Sequence, residues 1–125
     1  MERLFISTGA LFGFLAVAGG AFGSHALKNR LSPDMLQVFE VGVRYQMYHA
    51  LALVLTGFIL TRFQSPALTW AGAFFIAGVL IFSGTLYILT LTGLRWLGAI
   101  TPMGGTALLI GWLCLAWGAW SAGQR

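Results

Sequence analysis

Four long apolar runs, separated by isolated charges, make up most of this 125-residue chain. A helix that crosses the hydrocarbon core of a bilayer needs about 20 mostly apolar residues. Each run is long enough for one such helix and too short for two. The pattern therefore predicts an all-α membrane protein, a four-transmembrane-helix bundle in a single domain spanning residues 1–125. We expect the spans at about residues 4–27, 45–61, 66–92 and 97–120.

Local sequence signals limit the third helix at both ends. Ser65 followed by Pro66 is typical of an N-cap and the first helical position. Thr92 followed by Gly93 is typical of a helix end. These signals predict a helix over residues 66–92.

The start of the fourth helix allows two interpretations. Thr101 and Pro102 repeat the cap-and-proline pattern, which would begin the helix near Pro102 and leave residues 97–101 as a short non-helical or kinked approach. Alternatively, the helix begins near Trp96 and Pro102 kinks it.

The second helix is predicted to begin well before its apolar run. Ser32, Pro33 and Asp34 form an N-cap, a proline and an acid, and no strong breaker follows before Thr61. A helix of that length would measure about 43 Å, which exceeds the roughly 30 Å hydrocarbon core. Apolar and polar side chains separate onto two faces of its first turns. We therefore expect an amphipathic lead-in that lies at the membrane interface.

Small residues recur every three or four positions on two of the helices. In lipid, such seams allow close backbone approach and supply much of the attraction between helices. The third helix has a shorter seam through Ala73, Ala77 and Gly84. We expect the seams to pack helices within one bundle more than to form a dedicated dimer face. The helix-packing glycines are Gly9, Gly13, Gly20 and Gly23 on the first helix and Gly104, Gly111 and Gly118 on the fourth.

Composition agrees with a bilayer location. The chain is 58% hydrophobic and 8% charged, whereas soluble domains have about 25% charged residues. Residues 51–55 and 73–77 do not alternate in polarity as the strands of a membrane barrel would. Despite a net charge of +4, the basic residues are scattered, so we expect no nucleic-acid partner. The lone Cys114 excludes an internal disulfide.

The first run also has features of a signal peptide. Arg3 precedes it, and residues 21–23 are a tolerable cleavage context. Its length and its regularly spaced glycines favour a retained helix instead.

Half of the ten charged residues, and both histidines, lie between His25 and His49. One interpretation makes the charges an interfacial ion pair and the histidines anchors at helix ends. The other places some of these groups around a small polar cavity between the first two helices, with His49 the sharpest candidate because it lies inside the span. The candidate polar site comprises His25, Glu40, Arg44, Tyr45, Gln46 and His49.

No complete catalytic or cofactor signature accompanies these residues. Two histidines with Glu40 or Asp34 are a bare minimum for a metal, and paired histidines for haem lack any further support. The glycine-rich residues 19–23 lack the lysine and hydroxyl of a phosphate loop. We therefore assign no catalytic, metal or cofactor-binding residue and expect no cofactor.

Several motifs together resemble the YgdD/YwdK-like family of small bacterial inner-membrane proteins, whose function is unknown. They follow one another in order along nearly the whole chain. The resemblance implies four transmembrane helices in the plasma membrane and assigns no role to any residue. The motifs are Gly20-Ala21-Phe22-Gly23-Ser24-His25, Tyr45-Gln46 with His49, Phe82-Ser83-Gly84-Thr85-Leu86-Tyr87, Thr101-Pro102-Met103-Gly104-Gly105 and Gly111-Trp112. Ser24 stands where alanine is expected.

The sequence thus predicts a multi-pass protein of the bacterial inner membrane that is not an enzyme. Its expected partners are the lipid bilayer and either a second copy or another membrane protein. The alternative is a small transporter, channel or ligand-binding protein that uses the polar site. Basic residues are nearly balanced between the two sides, with a slight preference for both termini outside.

Overall fold

A computed structural model describes residues 1–124, and all regular secondary structure in that range is helical. Arg125, one of the charges counted above, lies outside the described residues. Four long helical segments follow one another in the chain. The elements are α1 (Glu2–Ala18), a π-helical turn (Gly19–Gly23), α2 (Ser24–Leu27), α3 (Pro33–Leu60), α4 (Pro66–Thr92), a 3-10 turn (Arg95–Ala99) and α5 (Thr101–Ala122).

The first predicted helix is continuous but changes its winding. α1, the π-helical turn and α2 together form one helical segment, Glu2–Leu27. A π-helical turn holds an extra residue, so it rotates the side chains that follow relative to an unbroken α-helix. Here the turn falls in the glycine-rich residues 19–23.

The helix ends agree with the local sequence signals. Ser32 caps α3, and its hydroxyl accepts a hydrogen bond from the Met35 N–H at 3.2 Å. Pro66 begins α4, and Gly93 ends it in the left-handed conformation at φ 75°, where glycine has no Cβ to clash. α4 therefore has the bounds expected for the third helix.

The first of the two interpretations holds for the fourth helix. The chain makes a separate 3-10 turn over Arg95–Ala99, and α5 begins at Thr101 with Pro102 at its N-terminal end. Proline lacks an N–H, but the first helical turn needs none there.

The helices pack in the order α1, α3, α4, α5, with α3 and α4 inside and α1 and α5 outside. α3 and α4 each bury ten residues along broad surfaces. α1 buries only Phe5, Gly9, Phe12 and Ala16, a single narrow stripe. α3 and α5 contact each other only slightly. The largest fully buried side chains are Phe5, Phe75, Leu53, Leu60 and Leu68.

Close approach at glycine is a feature of both outer helices. A Cβ added at Gly9 would lie 2.8 Å from the Ala50 carbonyl oxygen of α3. On α5, a Cβ at Gly111 or Gly118 would lie 2.7 Å from Phe75 or 2.8 Å from Leu68 of α4. The approach of Gly104 to the backbone nitrogen of Phe82 is closer still.

The other predicted packing glycines of the first helix have looser surroundings. A Cβ at Gly13 would lie 3.9 Å from its nearest neighbours, an ordinary contact distance. At Gly20 and Gly23 it would lie 3.2 Å from Val43 and 3.3 Å from Phe39. These positions face α3 but do not force the backbones as close together as Gly9 does.

The predicted seam of the third helix is wrong. Ala77 is exposed, and a Cβ at Gly84 would have no neighbour within 4 Å. α4 instead receives Phe5 of α1 at Gly72 and Leu108 of α5 at Gly78. A uniformly apolar helix has no polar face to indicate which of its sides meets a neighbour.

Three of the long helical segments are apolar enough and long enough to cross a membrane: Glu2–Leu27, Pro66–Thr92 and Arg95–Ala122. α3 is long enough but not apolar enough, because it carries the polar side chains of Glu40, Arg44, Gln46 and His49.

Candidate functional site

The six residues of the candidate polar site do not form one cluster. Gln46 and His49 are buried, each about 5% exposed. His25, Glu40, Arg44 and Tyr45 are exposed. Successive positions of α3 point in different directions, so the residues of the site are divided among three surroundings.

Glu40 and Arg44 line a shallow groove between α3 and the π-helical turn. Gly20, Ser24 and Val43 complete its lining. The spacing of the two charges, with the acid first, favours a helical ion pair. Within residues 1–124, however, the only ion pair joins the Met1 amino group to Glu2. Both charges are therefore left for other partners.

Gln46 connects three helices. Its Nε2 donates to the carbonyl oxygen of Phe12 in α1 at 2.8 Å, and its Oε1 accepts from the Tyr87 hydroxyl of α4 at 2.7 Å. Its amide is thus engaged on both sides, as a buried amide in an apolar setting must be to avoid a large desolvation cost.

His49 connects α3 to α5. Its Nδ1 lies 2.6 Å from the Tyr45 carbonyl oxygen, and the Trp112 indole N–H donates to its Nε2 at 3.0 Å. A carbonyl only accepts and an indole only donates. The ring is therefore neutral with its proton on Nδ1, and neither nitrogen is left for a ligand.

Aromatic rings surround His49. Its ring centroid is 5.7 Å from that of Phe75 and 5.8 Å from that of Trp112. Tyr45 stacks on Phe82 with centroids 4.8 Å apart. These contacts favour packing of the imidazole as an aromatic group.

The space beside this cluster is a 440 Å³ groove between α3 and α5, which we call the α3–α5 groove. This groove is open on one side and is not an enclosed cavity. Tyr45, His49, Thr106 and Trp112 are its polar lining residues, and the remaining lining residues are Pro102, Gly105, Leu108 and Leu109.

Further hydrogen bonds join neighbouring helices. The Ser83 hydroxyl of α4 donates to the Gly42 carbonyl of α3 at 2.7 Å. The hydroxyls of Thr85 and Thr101 lie 2.7 Å apart across α4 and the start of α5. In the described part of the chain, every buried side-chain nitrogen and oxygen has a hydrogen-bond partner.

Metal ligands are not gathered anywhere in residues 1–124. No three histidine, cysteine, aspartate or glutamate side chains are close enough to hold an ion. His25 is exposed on α2, while His49 is buried against α5.

Sequence reasoning missed the partners of the buried polar residues. Gln46 bonds to Tyr87, and His49 bonds to Trp112. The Gly42 carbonyl bonds to Ser83. Tyr87, Trp112 and Ser83 each lie in one of the motifs that carry the family resemblance, and a polar atom inside an apolar span is a signal of a specific role. That signal could have identified these residues as candidates, but it could not have shown which residues they bond to.

Comparisons with known proteins find similar chains of unknown function. Residues 19–105 match the family described as "Protein of unknown function (DUF423)". A UPF0382 membrane protein of Staphylococcus aureus is 47% identical over 113 residues, which cover 90% of this chain and 92% of that protein. The UPF0382 membrane protein YwdK of Bacillus subtilis is 44% identical over 114 residues, covering 90% and 93%. No solved structure matches the chain.

Proposed function

Because this chain belongs to the DUF423 family, whose relatives include UPF0382 membrane proteins, we propose that it is a four-span membrane protein that binds other membrane components without catalysing a reaction. The resemblance to the YgdD/YwdK-like family is thereby confirmed. The chain is a multi-pass protein of the bacterial plasma membrane.

The fourth span in this proposal is α3. The Leu60 end of α3 lies beside the beginning of α1: a Cβ at Gly57 would be 3.0 Å from the Glu2 carbonyl oxygen, and Gln64 bonds to the Glu2 carboxylate at 2.7 Å. Its other end packs Phe39 against Gly23. Because α3 follows the first helix over nearly its whole length, it crosses the bilayer wherever that helix does.

The observation that carries the non-enzymatic proposal is the pairing of the buried polar groups. Gln46 uses its amide oxygen and one amide N–H to join helices, whereas His49 bonds to α5 through Nε2 and within α3 through Nδ1. Interhelical hydrogen bonds of this kind stabilise membrane proteins by about 1 kcal/mol each. Groups engaged in this way hold the helices in place and are not available to bind or activate a substrate.

Binding to a partner is supported by the outer faces of α1 and α5. Large apolar side chains cover both faces, among them Phe14 at 69% and Leu113 at 72% exposed. Each outer helix buries only a narrow stripe, so most of its surface remains available for a second copy or another membrane protein. Association of helices in lipid depends on packing of such faces.

Cysteine crosslinking tests which outer face binds a partner. Cys114 is half-buried and packs against the core, so it is a poor reporter and should be replaced by alanine. In that background, we expect either Phe14→Cys or Leu113→Cys to form a crosslinked species in native membranes with a short bifunctional maleimide. Leu53→Cys, fully buried, is the matched control. A strictly monomeric protein in mild detergent, with no crosslink from either face, would contradict the proposal.

A second candidate function is ligand binding in the α3–α5 groove. It is favoured by the 440 Å³ of space beside Tyr45, His49 and Trp112. Gly105 lines this groove, and a Cβ there would make only ordinary contacts at 3.7 Å or more. If a small molecule copurifies with the protein in native mass spectrometry, Gly105→Leu should remove it. Gly84→Leu, at a position outside this groove, should not.

A further inference from the structure

A second groove on the molecule lies between α1 and α3 and has a polar and an apolar part. The polar part is the shallow groove described above, with Ser24, Glu40 and Arg44. The apolar part is a 650 Å³ depression that α1, Phe22 of the π-helical turn and Met47 of α3 form. Val43 and Met47 lie one turn apart on α3, so the two parts adjoin. We call them together the α1–α3 groove.

The apolar part has the dimensions of a lipid chain. It is lined by Ala10, Gly13, Phe14, Val17, Ala18, Phe22 and Met47. From Phe22 to Ala10, the helix rises by about 18 Å, comparable with the roughly 15 Å that one leaflet contributes to the hydrocarbon core. Phe14 and Phe22, 69% and 75% exposed, rise beside the depression.

The polar part lies where a lipid headgroup lies. Arg44 is the last charge on α3 before the uncharged residues 45–61, which places it at the border of the hydrocarbon. Glu40 is one turn further out. The two side chains line the same groove but do not pair with each other. A ligand with one anionic and one cationic group would satisfy both.

From this charge pattern, we infer that the α1–α3 groove binds one zwitterionic phospholipid whose headgroup carries a phosphate and a terminal ammonium. Arg44 donates to the phosphate, for which the guanidinium is well matched in shape. Glu40 accepts from the ammonium, and one acyl chain follows α1 toward Ala10. A purely anionic headgroup fits less well because the Glu40 carboxylate would face its phosphate without a cation between them.

Lipid titration of the purified full-length protein tests this inference. Native mass spectrometry would compare a phosphatidylethanolamine with a phosphatidylglycerol of the same acyl chains. We expect the wild-type protein to bind phosphatidylethanolamine about tenfold more tightly, the effect of one charge-assisted hydrogen bond. Glu40→Gln should abolish this preference, and Arg44→Gln should weaken the binding of both lipids.

Matched variants separate the groove from general surface charge. Asp34→Asn and Arg30→Gln remove exposed charges from the same border but outside the groove, and both should bind as the wild type does. Gly13→Leu should reduce lipid binding by filling the apolar part, because a Cβ there has room at 3.9 Å. Gly84→Leu, which lies outside the α1–α3 groove, should not.

Three results would overturn the inference. The first is that the wild-type protein binds phosphatidylglycerol as tightly as phosphatidylethanolamine, or more tightly. This result does not depend on the folding of any variant. The second is a loss of lipid binding or of lipid preference with Asp34→Asn or Arg30→Gln that is as large as the loss with Glu40→Gln or Arg44→Gln. The third is crosslinking of a second copy through Phe14→Cys with no lipid retained, since a protein would then occupy the groove.

Discussion

Trp112 of α5 donates its indole N–H to Nε2 of His49 in α3 across 3.0 Å, and the two residues are 63 positions apart in the chain. This bond links two helices that otherwise contact each other only slightly. It also fixes the tautomer of His49 and helps to set the width of the α3–α5 groove. Its contribution can be measured directly.

We expect the Trp112 and His49 side chains to be energetically coupled through this hydrogen bond. Trp112→Phe keeps an aromatic ring against Phe75 but leaves Nε2 of His49 without a donor, and should lower the free energy of unfolding by about 1 kcal/mol. His49→Phe should cost a similar amount. In a double-mutant cycle measured by unfolding in detergent, the two changes should couple by about 0.5 to 1.5 kcal/mol.

Trp117→Phe is the control for that cycle, since Trp117 is 64% exposed and forms no hydrogen bond within residues 1–124. It should change stability little. Strict additivity of Trp112→Phe and His49→Phe would show that the bond contributes nothing to folding.

The hydrogen bond between Tyr87 and Gln46 should be worth a comparable amount. Tyr87→Phe removes the donor to the Gln46 Oε1 and leaves a buried acceptor unpaired, which costs about 1 kcal/mol. Gln46→Leu removes this unpaired acceptor and should therefore restore part of the lost stability in the Tyr87→Phe background. Thermal unfolding in detergent measures both effects.

Tyr48→Phe makes the same chemical change at an exposed tyrosine of α3. It should leave the unfolding temperature unaltered. A loss of stability with Tyr48→Phe equal to that with Tyr87→Phe would count against a specific role for the bond.

Alanine substitutions should separate the packing glycines from the open one. At Gly104, the new Cβ would meet backbone atoms of Phe82 that cannot move aside, so Gly104→Ala should cost about 2 kcal/mol or more. At Gly84, the Cβ meets nothing within 4 Å, and alanine favours a helix by up to about 1 kcal/mol. Gly84→Ala should therefore be neutral or stabilising. Equal losses of unfolding free energy at both positions would refute the packing described for α5.

Cysteine accessibility should establish the crossing of α3. In a Cys114→Ala background, Asn29→Cys and Phe63→Cys flank α3, and an impermeant maleimide should label them from opposite sides of the membrane. Gly98→Cys, between α4 and α5, should react from the same side as Asn29→Cys. Labelling of Asn29→Cys and Phe63→Cys from one side would mean that α3 does not cross. The orientation with both termini outside the cell remains a prediction, and the same reagents can test it.

Local chemistry allowed the sequence to determine the helices. Ser32 with Pro33, Ser65 with Pro66, and Gly93 act within a turn of their own positions, so their effect does not depend on the rest of the fold. The same holds for the amphipathic start of α3, where Phe39 is buried while Glu40 and Arg44 are exposed. The charge-free runs indicated a membrane protein because the cost of burying charge in lipid is independent of helix arrangement.

Only the tertiary structure decided which sides of the helices meet. A helix surrounded by lipid is apolar on every side, so Ala73, Ala77 and Gly84 looked equivalent to Gly72 and Gly78, which are the positions that receive α1 and α5. Likewise, His49 and Gln46 were recognisable as costly polar groups, but their partners Trp112 and Tyr87 lie on other helices. Periodicity within one helix carries no information about the rotation of its neighbour, and that rotation placed His49 against α5 and left Glu40 and Arg44 at the surface.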